Sequence, residues 1–323
     1  MIHPFAVDPG LLAYWSARAP FRFWKTQFEL GERRVIAGHP SSKRWKQQMR
    51  DTLREIGPNL DETTATRAAE LFKLFSQDCP VLDRSDAFDG NKTWIENAIA
   101  AHLAHPFRAI LAVQAGSDEA AVIAAVEHPP ESPLWSLPPD GPMARTTAAM
   151  LGRLDTMLRY ATRITLVDPY FDFHKRRFAE PVLEMLAAIS SRSGKPPIRV
   201  ELIVSEKPTA ADGSQLDAAA HRANCFARSE GGARPFSACV PSGLPMVVSV
   251  VRERARGDLL HDRFVLTDVG GIQFTVGLDA TTHPWRRDGC HLLDGARLAD
   301  YRSAYVEPRE FDVVDSWRLG AVA

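Results

Sequence analysis

A histidine, an arginine and an aspartate stand in the spacing His261-x-Arg263-x-x-x-x-Asp268, three residue types that together suit the handling of phosphate. A neutral imidazole attacks phosphorus as a nucleophile, and a protonated one gives its proton to a leaving group. A guanidinium presents a planar fork of donors to phosphate oxygens. A carboxylate on the second imidazole nitrogen fixes the tautomer. The run from His261 to Asp268 reads as a strand, on which His261, Arg263 and Val265 share one face by the two-residue period. The same residues also fit a buried histidine beside a surface salt bridge, and spacing alone does not separate the two readings.

Three further residues stand where neighbouring elements end. The strand Ile164-Thr165-Leu166-Val167 runs into Asp168-Pro169-Tyr170, and ligand sites of α/β sheets lie at such strand ends. Asp168 and Tyr170 are therefore candidate substrate-binding residues, although Asp168 equally suits capping the turn before Pro169. Arg145, at the start of a helix expected from Arg145 to Tyr160, is a candidate phosphate contact. Asp279 is a fourth candidate, in the segment Gly277-Leu278-Asp279-Ala280.

The spacing around His261 resembles the H-x-K-x4-D signature of the phospholipase D superfamily, with arginine in the lysine position. The likeness reaches back to Ile164-Thr165-Leu166-Val167-Asp168-Pro169-Tyr170-Phe171 and covers roughly residues 145 to 316. It implies His261 as nucleophile, Arg263 as phosphate clamp and Asp268 as orienting acid, with no metal and no cofactor. Only one copy of the motif exists, so catalysis of that kind implies a homodimer in which two His261 residues face each other. Where the family usually has G-S-x-N, this chain has Gly277-Leu278-Asp279-Ala280. The H-D-R run with the later G-L-D also resembles the phospholipase-D-like C-terminal domain of MIT-domain proteins, regarded as a membrane- or partner-binding module. Two functions follow from the resemblance. One is a metal-independent phosphodiesterase acting on nucleic acid, with a place in bacterial defence; the other is an inactive module that binds phosphate groups, a membrane surface or a protein partner.

The elements that must position these residues divide the chain. Residues 1–128 read as a smaller α/β region of unknown role. They carry a strand at Arg34-Val35-Ile36-Ala37, a helix capped by Ser41 or Ser42, a helix from Glu62 to Gln77 capped by Asp61, and a strand at Phe107–Val113. Six prolines between His128 and Pro142 point to a linker or surface excursion at 129–142. Residues 143–323 alternate strands and helices, with a hairpin at Gly270-Gly271, as in a mixed sheet flanked by helices.

Composition narrows the functional classes. The 323 residues are 45% hydrophobic and 24% charged, enough to build a core without disulfides or metal, and the net charge of -1 gives no global field for nucleic acid. Local basic groups at Arg252, Arg254, Arg256 and Arg286-Arg287 suit either a backbone track or solvated loops. The four cysteines lack metal-ligand spacing and read as reduced thiols. No signal-peptide pattern and no transmembrane run is present, so a cytoplasmic protein is expected.

Overall fold

The computed structural model describes residues 1–323 apart from 115–120, 127, 139, 193–195, 208–215, 229–231, 233, 256, 258, 282, 284, 307–309 and 321–323. The expectations at Pro139 and Arg256 lie outside the described residues. The chain forms two compact α/β units that meet at residues 139 and 140, inside the proline-rich stretch.

The first unit runs β1 (His3–Val7), α1 (Leu11–Trp15), α2 (Arg18–Gln27), β2 (Arg34–Gly38), α3 (Ser42–Ile56), α4 (Glu62–Lys73), β3 (Val81–Asp83), α5 (Trp94–Ala104), β4 (Ala109–Ala112) and β5 (Val122–Ala124). Its five strands form a parallel sheet in the order β3-β2-β1-β4-β5. Helix starts follow from local chemistry. Ser41 accepts from the Arg44 N–H, Asp61 from the Thr64 N–H, and Thr93 and Glu96 close a reciprocal capping box. The central strand β1 lacks any such local punctuation, and the sequence reading passed over it. The helix expected to reach Gln77 leaves α-geometry after Lys73, where one π turn spans Leu74–Asp78.

The proline-rich stretch differs from the expected linker. Trp135 is buried, its ring 5.2 Å from Trp24 and 5.5 Å from Phe5, and its carbonyl accepts from Arg34 Nη2 at 2.7 Å. The Arg34 guanidinium stacks on the same ring at 3.8 Å. Proline excludes regular structure here but leaves one large aromatic free to anchor the segment in the core of the first unit.

The second unit runs β6 (Met143–Ala144), α6 (Thr147–Tyr160), β7 (Arg163–Val167), α7 (Arg176–Ser190), β8 (Arg199–Ser205), α8 (Ala218–Phe226), α9 (Phe236–Cys239), β9 (Met246–Arg252), β10 (Arg263–Thr267), β11 (Gly271–Phe274), β12 (Arg287–Asp288), β13 (Cys290–Leu292), α10 (Gly295–Tyr305) and β14 (Asp312–Leu319). Seven strands make a mixed sheet, β13-β11-β10-β7-β8-β9-β14. Strands β7, β8 and β9 are parallel, whereas β10, β11, β13 and β14 pair antiparallel to their neighbours. The expected hairpin forms between β10 and β11, with Leu266 opposite Gly271. A Cβ at Gly271 would stand 2.7 Å from Leu298 Cδ1 and 2.9 Å from Leu293 Cδ1, so the close fit of α10 on the hairpin requires glycine. Among the described residues no helix is long and apolar enough to cross a membrane.

Trp135→Ala is expected to destabilise the first unit by about 3–5 kcal/mol, the usual cost of truncating a buried large aromatic. Denaturant unfolding followed by tryptophan fluorescence measures this; an unchanged midpoint would return the segment to a passive connection.

Candidate functional site

The mixed sheet brings separate chain segments to one edge. Strands β7 and β8 run side by side and finish together, with Val167 opposite Ile203. Strand β10 runs the other way and starts at the same edge, with Phe264 opposite Val167, and β11 returns there with Phe274 opposite Arg263. Asp168 to Tyr170, Lys207, His261 to Arg263, and Thr275 to Asp279 all follow or precede these strand ends. They form the mouth of the site.

Asp168 is the best-fixed group in it. Its side chain is buried, with Oδ1 accepting from the Tyr170 N–H at 3.0 Å and Oδ2 from the Leu278 N–H at 2.9 Å. Burial raises its pKa to about 6. The two backbone donors and the Arg263 charge oppose that rise, and the neighbouring Asp279 adds to it. Gly277 passes between the two carboxylates at φ 145°, and a Cβ there would meet Asp168 Oδ2 at 3.2 Å and Asp279 Oδ1 at 3.3 Å. Both the positive φ and the crowding call for glycine.

Arg145 and Asp279, both candidate substrate contacts in the sequence, are paired with each other. The Arg145 guanidinium bonds the Asp279 carboxylate and also donates to its carbonyl at 3.2 Å, while Arg177 Nε lies 3.7 Å from Asp279 Oδ2. Asp279 is 4% exposed, so this ion pair is a buried tie between the start of α6 and the segment after β11. Nearby, Asp288 accepts from the Val276 N–H at 3.0 Å, and burial raises its pKa. Among the described residues no group of three or more His, Cys, Asp or Glu side chains is arranged to hold a metal ion.

Asp268 is not at this mouth. The expected strand from His261 to Asp268 is shorter, and β10 carries only Arg263–Thr267. At about 3.3 Å per residue, Asp268 stands about 17 Å from the end that holds Arg263. Its carboxylate accepts from the Thr162 N–H at 2.9 Å, the Thr162 hydroxyl at 2.6 Å and the Arg163 N–H at 3.2 Å. It pins the entry of β7 to the β10–β11 turn and cannot orient the His261 imidazole.

His261 lies in the coil before β10, its side chain 61% exposed. The carboxylate beside it is Asp262, with Oδ1 3.6 Å from His261 Nε2. Gln273 Nε2 donates to the same Oδ1 at 3.3 Å. The sequence reading had no role for Asp262.

Arg263 and Tyr170 do come together. The guanidinium carbon sits 4.4 Å from the Tyr170 ring centre, and Nη1 donates to the Thr275 carbonyl at 3.4 Å. Arg263 Nε is buried and has no hydrogen-bond partner among the described residues. A second cation, Lys207 Nζ, lies 3.5 Å from the centre of the same ring. Lys207 went unnoticed in the sequence because its place depends on β8 ending beside β7, a fact of register. Of the basic track, Arg252 and Arg254 are ion-paired, with Glu206 at 2.5 Å and Asp312 at 2.8 Å, and Arg287 donates to the Pro142 carbonyl at 2.6 Å.

Asp168 also sets a pH dependence. Its folded pKa is raised, so the folded chain holds its proton more tightly than the unfolded chain does. Its contribution to stability is then fullest below about pH 4 and is lost as pH rises through about 6, by about 3 kcal/mol in all. Asp168→Asn should remove that slope, as read from unfolding midpoints at pH 4, 5, 6 and 7. Asp268→Ala should cost about 1–3 kcal/mol through its orphaned backbone donors and leave ligand binding at Tyr170 unchanged; weakened binding without loss of stability would contradict its purely structural place. No protein-family model and no curated protein matches the chain.

Proposed function

We propose that the second unit recognises a phosphate group, the monoanion of a phosphodiester, at the mouth where Arg263 and Lys207 share the Tyr170 ring. The observation that carries this reading is the pair of cations 4.4 Å and 3.5 Å from one ring centre, neither ion-paired with a carboxylate among the described residues. Each gains a cation–π interaction from the ring face, yet their like charges repel. An oxyanion between them removes the repulsion and satisfies the orphaned Arg263 Nε. Tyr170 is 39% exposed, so the site is open to a ligand.

Chemistry at phosphorus is the second reading, favoured by the exposed imidazole of His261 at the rim with Asp262 within 3.6 Å. In that reading the His261 ring attacks phosphorus and the P–O bond to the leaving alcohol breaks. A second His261, from another copy of the chain, gives that alcohol its proton. Water then cleaves the P–N bond. Nucleic acid is the substrate class, and the active form is a homodimer.

The two readings separate experimentally. Arg263→Met and Lys207→Met should each weaken binding of dimethyl phosphate or a short single-stranded oligonucleotide by about tenfold, the value of a charge-assisted contact. Unchanged affinity in both variants would refute phosphate recognition here. His261→Ala should leave that affinity intact but abolish any turnover of bis(4-nitrophenyl) phosphate. A strictly monomeric chain that turns the substrate over would contradict the two-histidine scheme. Acidification gives an independent check: as pH falls through about 6, Asp168 takes up its proton and stops competing with the ligand for Arg263. Phosphodiester affinity should therefore rise between pH 7 and pH 5, and Asp168→Asn should show the higher affinity already at pH 7.

A further inference from the structure

A cavity of about 1580 Å³ opens at the other end of the same sheet, where β7, β8 and β9 begin and β14 finishes. Its lining includes Arg163, Arg199, Arg302 and Arg318 and not one Asp or Glu, in a chain whose net charge is -1. The register explains the concentration of charge. Arg163 and Arg199 are direct partners on adjacent strands, and Arg318 is opposite Val247, which is itself opposite Glu201. The side chains of Arg163, Arg199 and Arg318 therefore stand on one face of the sheet, the face on which Tyr301 of α10 packs against Phe264 at 4.3 Å. Arg302, next along α10, adds its charge from above.

Only one of these arginines is neutralised nearby. Arg199 pairs with Glu201 at 2.9 Å, and Glu201 also accepts from the Ser249 hydroxyl at 2.5 Å. The carboxylate of Asp268, beside Arg163 in the chain fold, is taken by the Thr162 and Arg163 backbone. Arg163, Arg302 and Arg318 make no ion pair among the described residues. Arg163 stands directly opposite Arg199, and with Arg199 already paired to Glu201 the charge left for a bound anion is that of Arg163, Arg302 and Arg318. The rest of the lining mixes Thr165, Ser237, Ser303 and Ser316 with apolar side chains. Ile198, 70% exposed, precedes Arg199 and so points to the other side of the strand ends, where α8 packs on Trp317 and Phe226 is 51% exposed. Guanidinium forks on one side of the strand ends and exposed apolar side chains on the other suit an extended ligand with both parts.

We infer that this cavity binds an organic polyphosphate of nucleotide class, its phosphates on Arg163, Arg302 and Arg318 and its ring against Phe226 and Ile198. The cavity lies a full strand length from Tyr170, and the inference does not rest on the function proposed for that mouth.

The test uses ATP and inorganic tripolyphosphate as probes, titrated calorimetrically into the full chain. The Arg263→Met, Lys207→Met background removes the cations of the Tyr170 mouth. That background should still bind ATP, and adding Arg163→Gln with Arg318→Gln, both on exposed side chains, should weaken it by at least tenfold. Phe226→Ala should weaken ATP but leave tripolyphosphate unchanged. Circular dichroism of each variant confirms the retained fold. Absence of ATP binding in the background chain would overturn the inference, as would ATP affinity indifferent to Arg163→Gln with Arg318→Gln. Tripolyphosphate binding as tightly as ATP would overturn the place given to the ring. A deca-glutamate peptide displacing ATP at lower concentration than tripolyphosphate would assign the cavity to an acidic peptide instead.

Discussion

The buried carboxylate of Asp168 is the constraint around which the mouth of the second unit is built. It lies at the end of a strand interior to the sheet, and its two oxygens are taken by the N–H groups of Tyr170 and Leu278. One bond shapes the turn after β7, so that Tyr170 emerges with its ring partly open. The other holds the segment after β11 against that turn, and it works only because Gly277 has no side chain and a positive φ. Burial makes the arrangement costly for a charged group, and two backbone donors do not fully offset that cost. The result is a carboxyl group that titrates at about 6 beside Arg263, whose Nε has no hydrogen-bond partner among the described residues.

The other charges at the mouth sort by what already holds them. Arg145 and Asp279 form a buried ion pair, with the exposed Arg177 at its edge. Arg263 and Lys207 stand on an aromatic face and make no ion pair with a carboxylate among the described residues, although the Asp168 charge is close enough to feel Arg263. A ring quadrupole attracts cations less strongly than a carboxylate does, and it leaves the donor hydrogens of both side chains available. The difference separates a tie within the fold from the mouth proposed to take a phosphate group, although all five residues sit near one another in the topology. At the opposite end of the sheet the same logic recurs, with Glu201 neutralising Arg199 and three further arginines that make no ion pair among the described residues.

Much of the fold was legible because it is encoded locally. Ser41 and Asp61 each cap a helix through their own side chains, and alternation or apolar runs mark β7, β8 and β9. The mixed sheet with its β10–β11 hairpin followed from strand and turn chemistry of the same kind. What escaped the sequence depends on partners far along the chain. Strand β1 is identified by the parallel neighbours on its two sides. Trp135 is drawn into the core from a stretch whose prolines signal only the absence of helix and strand. Lys207 reaches Tyr170 because β8 stops beside β7. The error over Asp268 has a different origin. The spacing between His261 and Asp268 suggested a triad, but seven residues along an extended chain separate the two by more than any side chain can reach. Arg263 and Tyr170, by contrast, meet because strands of opposite direction put the start of one beside the end of the other.

The most direct test of phosphate recognition at the Tyr170 mouth reads Arg263 itself. In ¹H–¹⁵N spectra of the arginine side chains, titration with dimethyl phosphate at pH 6 should shift and sharpen the Arg263 Nε–H resonance as that buried donor gains its acceptor. The same titration of the Lys207→Met chain should produce the shift only at about tenfold higher ligand concentration. An Arg263 Nε–H resonance that stays in place, while dimethyl phosphate moves resonances elsewhere in the chain, would contradict the account.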